Sequence, residues 1–308
     1  QLHGYYKEYD EKGNLIYTAK YEFGKIIEQK EKENLVPVAE KTDYYEDGTV
    51  KQSGFYINDS IPTGMHRQYD KQGRVVKAEQ YDNKGHLHGA GKVDEQGRKQ
   101  GRWVYYYPGG AKKSEGKYKH HRKEGEWVYY YKSGDVEQRG TFVRGKYEGL
   151  WTWYYETGEI LREELYYNGK EEGQFTEYSK DGHIITKGDY IDGQKDGYWF
   201  YNVGDHMEKG KYIAGAKEDI WRHYYPNGKL KFEGQYVHGL PNGRHKYYHD
   251  NGIIELDARF IMGNREGNWK KYDYEGNLIL TVTYEMNTEV KINGMKVKLL
   301  DDEPLELE

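Results

Sequence analysis

Residues 140–160 read Gly140-Thr-Phe-Val-Arg-Gly145-Lys-Tyr-Glu-Gly149-Leu-Trp-Thr-Trp-Tyr-Tyr-Glu-Thr-Gly158-Glu-Ile160. Four glycines punctuate short stretches dense in aromatic and β-branched residues. Such stretches suit strands, and glycines between them supply the positive φ of tight hairpin turns. The stretch therefore predicts antiparallel hairpins.

Its neighbours repeat it. Gly149 belongs to a series with Gly101, Gly125, Gly173 and Gly197, spaced by 24, which Asp219, Gly243 and Gly267 continue after one 22-residue unit. With this residue as position zero, plus two is Trp103, Trp127, Trp151, Phe175, Trp199, Trp221 or Trp269, and His245 once. Plus five is Tyr in seven units, plus nine is a turn glycine such as Gly134 or Gly158, and plus eleven is an aliphatic such as Val136 or Ile160. Plus fifteen is Gly116, Gly140, Gly188 or Gly234, plus seventeen is aromatic, and plus twenty is a second turn glycine such as Gly145 or Gly169. A period of this length is the signature of a repeat architecture. The fold class that follows is all-β: an elongated single-sheet solenoid of about eleven consecutive antiparallel β-hairpins, some 100 Å long at about 4.8 Å per strand.

Composition says how such a sheet is held. Leu, Ile, Val and Phe together supply only 54 of 308 residues, whereas Gly supplies 39 and Tyr 35. That is too little aliphatic material for an ordinary core. The aromatic content and a net charge of only −5 nevertheless exclude a disordered chain. Side chains alternate between faces, so plus eleven, fifteen and seventeen share one face. A glycine at plus fifteen leaves bare backbone on which a Trp or Tyr ring can lie, and a ladder of such pairs replaces the core unit by unit.

The unit Gly140-Thr-Phe142-Val-Arg-Gly145-Lys-Tyr-Glu-Gly149-Leu-Trp151 resembles the MORN repeat. With its Tyr-Tyr pair and turn glycine it is similar to the bacterial MORN-variant repeats, a group that carries an antitoxin-like label. The resemblance implies the hairpin fold and, for function, a scaffold, a membrane-apposed module or a partner-binding surface.

The repeat frame divides the chain. Residues 1–88 hold degenerate repeats with an insertion at 26–43, around Val36-Pro37-Val38, expected to form a bulge, loop or short helix. Residues 89–100 hold half a repeat and a bend, 101–288 the regular repeats, and 289–308 a capping hairpin around Asn293-Gly294 with an acidic tail from Asp301 to Glu308.

Little in the sequence points to chemistry. Cys is absent, which removes disulfides and thiol catalysis. Of the twelve histidines, the groups His86-Leu-His88 and His120-His121 sit at expected turns, without placeable further metal donors. Glu163-Glu164 and Glu171-Glu172 read as repeat-surface charges. Gly140-x4-Gly145-Lys146 has phosphate-loop spacing, but Tyr147 replaces the Ser or Thr and no helix follows. The expectation is no enzyme, no metal and no cofactor. Near-neutral charge excludes a polycation of the nucleic-acid-binding kind, and no apolar run is long enough for a transmembrane helix.

The candidate binding residues are those that vary inside the frame, at plus four and plus six: Tyr105, Tyr107, Tyr129, Tyr131, Trp153, Tyr155, Tyr201, Tyr225 and Tyr247. They share parity with the plus-two Trp and either pack along the sheet or form an aromatic stripe for a partner strand, peptide or glycan. Ser60, in Asn58-Asp-Ser60-Ile61, is a candidate modification site. The leading expectation is a non-enzymatic scaffold that binds another protein in a larger complex. Its place is the periplasm, the cell surface or the outside of a Gram-negative cell, on a mature N-terminus at Gln1 with a signal peptide removed. The alternatives are a glycan-binding protein and a cytoplasmic antitoxin-like partner.

Overall fold

A computed structural model of the chain describes residues 4–9, 15–22, 25–31, 38–202 and 204–297. The acidic tail, residues 298–300 and the Val36-Pro37 pair lie outside the described residues. Every element among the described residues is a strand, twenty-seven in all. Two of these, Asn264–Arg265 and Gly267–Tyr272, follow one another with one residue between them.

Two compact units divide the chain, Gln1–Arg122 and Lys123–Glu308. The first holds a three-stranded sheet of Gly4–Tyr9, Leu15–Glu22 and Lys25–Glu31, then a run of hairpins from Val38–Tyr44 to Lys112–Lys119. The 26–43 stretch is thus mostly strand, with Lys25–Glu31 paired to Leu15–Glu22 and Val38–Tyr44 paired to Val50–Ile57. The expected bulge, loop or helix is corrected to strand at 26–31 and 38–43, and residues 32–37 lie outside the described residues. Residues 89–100 lie in Leu87–Val93, Lys99–Tyr106 and a turn in which Asp94 N–H donates to Arg98 O at 2.9 Å.

The second unit is an open antiparallel sheet in which each strand pairs with its sequence neighbours. Turns at plus nineteen and plus twenty have two residues, both left-handed: Arg144 and Gly145 have φ of 51° and 85°. That is the hairpin turn whose twist matches the strands. Asn293 and Gly294, at 47° and 83°, make the same turn in the capping hairpin.

Tryptophan is the core. Trp127, Trp151, Trp199 and Trp221 are at most 2% exposed, although a single sheet has no second layer to cover them. Each of the last three lies on a glycine of the preceding unit, Gly140 and Gly188 at plus fifteen and Gly210 at plus thirteen in the shortened unit. A Cβ on Gly188 would come within 2.2 Å of the Trp199 indole, so glycine alone lets the ring reach the backbone. The indole N–H then donates to the next carbonyl: Trp151 to Thr141 O, Trp199 to Asp189 O and Trp221 to Lys211 O, each 3.1 Å. Flanking rings close the sides, with Tyr147 centred 4.1 Å and Phe142 5.1 Å from Trp151. A lysine covers the top: Lys195 Nζ sits 4.4 Å from the Trp199 ring and Lys217 Nζ 3.9 Å from that of Trp221. Burial pushes both amines below the usual lysine range.

Candidate functional site

Register settles which side chains share a face. Trp127 opposes Gly140 and Tyr129 opposes Gln138, so plus two and plus four lie on the tryptophan face, as parity requires. The plus-four rings lie there, the plus-six tyrosines stand one residue past their strands, and each of the nine candidates is half-buried. Tyr105 and Tyr107 belong to the first unit and the other seven to the second.

These rings are tied into the sheet. At plus six, the hydroxyls of Tyr131, Tyr155 and Tyr225 donate to the carbonyls of Tyr154, Tyr178 and Tyr248 at 2.7–2.8 Å. Each bond runs 23 residues ahead and clasps one repeat to the next. At plus four, the hydroxyls of Tyr105, Tyr129 and Tyr201 accept from Lys99, Lys123 and Lys195 at 2.6–2.8 Å. Arg162 stacks 3.9 Å over Trp153, Phe232 sits 4.8 Å from Tyr247, and Lys113 lies 5.5 Å from the Tyr107 ring. Burial raises the phenol pKa of Tyr131, Tyr201, Tyr225 and Tyr247. Ser60 sits exposed in a turn between Val50–Ile57 and Ile61–Tyr69, its hydroxyl donating to Asn58 O at 3.2 Å.

The opposite face carries what the sequence reading missed. At plus eighteen, one residue past the plus-seventeen aromatic, stand Val143, Tyr167, Ile191, Ile213 and Ile261, between 42% and 67% exposed. Ile213 holds this place in the shortened unit. Leu150, Tyr198 and Ile220, at plus one, run beside them and are also exposed. Val143 opposes Lys146 and Tyr167 opposes Lys170 in register, so the aliphatic column lies along the turn edge. Successive members are two strands, about 10 Å, apart. The signal was in the chain: an aliphatic or Tyr follows the plus-seventeen ring in unit after unit, with the parity of the other face.

A second missed feature is acidic. The residue before position zero accepts the N–H of the left-handed turn residue twenty positions on, or eighteen in the shortened unit. Glu124 accepts from Arg144, Glu148 from Asn168, Glu172 from Asp192, Asp196 from Ala214 and Glu218 from His238, at 2.8–3.1 Å. Glu172 is therefore a turn clasp. Glu164 is likewise not a surface charge: it is 5% exposed beneath Phe175. Burial raises its pKa, against a 2.8 Å bond from Tyr166.

Histidine replaces rings in the later repeats. His245, at plus two, is 1% exposed, and its Nε2 donates to Gln235 O at 2.7 Å as an indole would. His223, at plus four, packs 4.8 Å from Phe232. His206 Nε2 lies 2.9 Å and His223 Nε2 3.7 Å from the two oxygens of Glu208. Among the described residues no three His, Cys, Asp or Glu are arranged to hold a metal ion.

Burial holds the His245 and His223 imidazoles below the usual histidine range. A depressed folded pKa means that the unfolded chain binds the proton first. Stability is therefore full above about pH 6.5 and falls as pH drops below that value. His206 is raised by Asp205 and Glu208 and opposes the trend. Replacing His245 with Phe, the ring that position uses at Phe175, is expected to shrink the loss in urea midpoint between pH 7.5 and 5. An unchanged loss would show that His245 does not carry it.

Six stretches match the model of the MORN repeat variant: residues 2–23, 38–58, 123–144, 147–168, 220–238 and 265–286. No curated protein matches the chain.

Proposed function

We propose that the chain, which is a MORN-repeat protein, is a non-enzymatic scaffold holding a partner protein on the aliphatic face of its second unit. MORN repeats are protein- and membrane-binding modules. The observation that carries the reading is the exposed plus-eighteen column. Isolated surface apolar residues need no explanation, but here they recur at one position in repeat after repeat, with Leu150, Tyr198 and Ile220 exposed beside them. Tyr167 and Tyr198 add rings of the kind that anchor interfaces. We place the assembly in a bacterial cell envelope or outside the cell, on the Cys-free, Tyr-, Asn- and Gly-rich composition. Fractionation of native cells tests the location, and a cytoplasmic pool would favour the antitoxin-like alternative.

The test of docking is a pair of substitutions. Tyr167→Glu with Ile191→Lys is expected to release the partner retained under gentle extraction, while shifting stability by no more than about 0.5 kcal/mol, as exposed sites do. A variant that keeps its partner, or a wild-type chain isolated without one, would sink the reading.

A further inference from the structure

On the same face a cleft of about 310 Å³ opens over the strands from Ile184–Ile191 to Ala216–Tyr224. Direct cross-strand pairing lines up its walls. Lys187 opposes Phe200, Phe200 opposes Lys209, and Lys209 opposes Arg222. Tyr198 and Ile220 form one rim.

The charge pattern along this row is uneven. Beyond Arg222 it alternates as Glu233, Lys246, Asp257 and Lys270, so each cation there faces an anion. Arg222 itself is bound to Glu233 at 2.8 Å. Lys187 and Lys209 have no acidic partner among the described residues. Lys209 Nζ lies 4.8 Å from the centre of the Tyr224 ring. Like charges directly opposite destabilise a sheet, yet Lys209 faces Arg222. Asp189 also lines the cleft, so the lining holds three cations, Lys187, Lys209 and Arg222, to one carboxylate. Two ammonium groups without an ion-pair partner among the described residues thus flank the Phe200 ring. Tyr198, 77% exposed, stands beside them.

We infer that this cleft takes an acidic side chain from a partner strand of alternating acidic and apolar residues. The inference rests on the docking reading above and names the chemistry of its partner. The carboxylate sits between Lys187 and Lys209 over Phe200. Apolar residues on either side of it cover Tyr198, Ile220 and the aliphatic column. Aliphatic neighbours favour a peptide over a saccharide, because a sugar gains little from Ile and Val. Charge complementarity of this kind sets partner choice and register, which the periodic column alone, being the same in every repeat, cannot do.

The probe is a fluorescein-labelled peptide of four Leu-Glu repeats, followed by fluorescence anisotropy with the full chain. Binding is expected at 50 mM salt, at least tenfold weaker for the Lys187→Glu, Lys209→Glu variant and at least tenfold weaker for the Leu-Gln peptide. A circular-dichroism melt checks that the variant is folded. If it is not, Lys187→Gln alone is expected to weaken binding about threefold. Absence of binding to the wild-type chain overturns the inference, as does equal binding by the charge variants. Displacement of the peptide by trigalacturonate at equal affinity also overturns it, in favour of an acidic saccharide. If the peptide fails while Tyr167→Glu with Ile191→Lys still releases the native partner, docking stands and the acidic-strand assignment alone falls.

Discussion

Truncating Trp151 to alanine is expected to cost the second unit about 3–5 kcal/mol, the range for removing a buried large ring. The ring is fully buried against Gly140, Phe142 and Tyr147, and its N–H satisfies the Thr141 carbonyl. Both losses, of packing and of the hydrogen bond, fall on one repeat interface. In a repeat array stability is roughly a sum of unit and neighbour terms. The deletion therefore weakens the repeats on both sides of Trp151 together. The measurement is a urea midpoint by circular dichroism, with Ile191→Ala as the exposed control. A loss under about 1 kcal/mol would sink the idea that the tryptophan ladder is the core.

Adding a single methyl is expected to hurt nearly as much. Gly188→Ala places a carbon 2.2 Å from Trp199. Overpacking costs typically 1–3 kcal/mol and occasionally more, and the upper end applies here, because the obstacle is a whole indole locked between Phe175 and Tyr190. The chain already contains the compensating pair. Where plus two is the smaller Phe175, the residue beneath it is Glu164. Gly188→Ala combined with Trp199→Phe is therefore expected to lose clearly less than the sum of the two single losses. Coupling of this kind is the mark of direct contact. Strict additivity would count against the stacked geometry.

Both effects could be foreseen because they arise from parity and from φ. A ring at plus two and a glycine at plus fifteen share a face in any hairpin of this period. An x-Gly turn declares itself between strands. The aliphatic face was harder to see. Val143 and Ile191 sit beside Phe142 and Tyr190, so an exposed residue and a more buried ring appear as one apolar doublet. Parity puts them on opposite sides, and the pairing of Phe142 with Tyr147 and of Val143 with Lys146 bears that out. The acidic clasps were hidden for a related reason. Glu172 acts on a backbone N–H twenty residues away, and no local pattern distinguishes it from a solvated carboxylate. Lys187, Lys209 and Arg222 are scattered in sequence, and their adjacency exists only in the register of four strands. The stretch 26–43 was read as an interruption because its strands lack the repeat's glycines and rings, which form the core but are not needed for pairing.

The clasps have a consequence for how the chain is made. The carboxylate bond to the turn spans about 20 residues, the tyrosine bond to the next repeat 23, and the indole contact with its glycine 11. Within the second unit none of these ties waits for a distant part of the chain. All-β proteins usually fold slowly, because their contacts close long loops. Here each repeat can lock as soon as the following one has left the ribosome, at synthesis rates of about 5–20 residues per second. A nascent chain of this design would expose roughly one unfinished hairpin at a time, however many repeats follow.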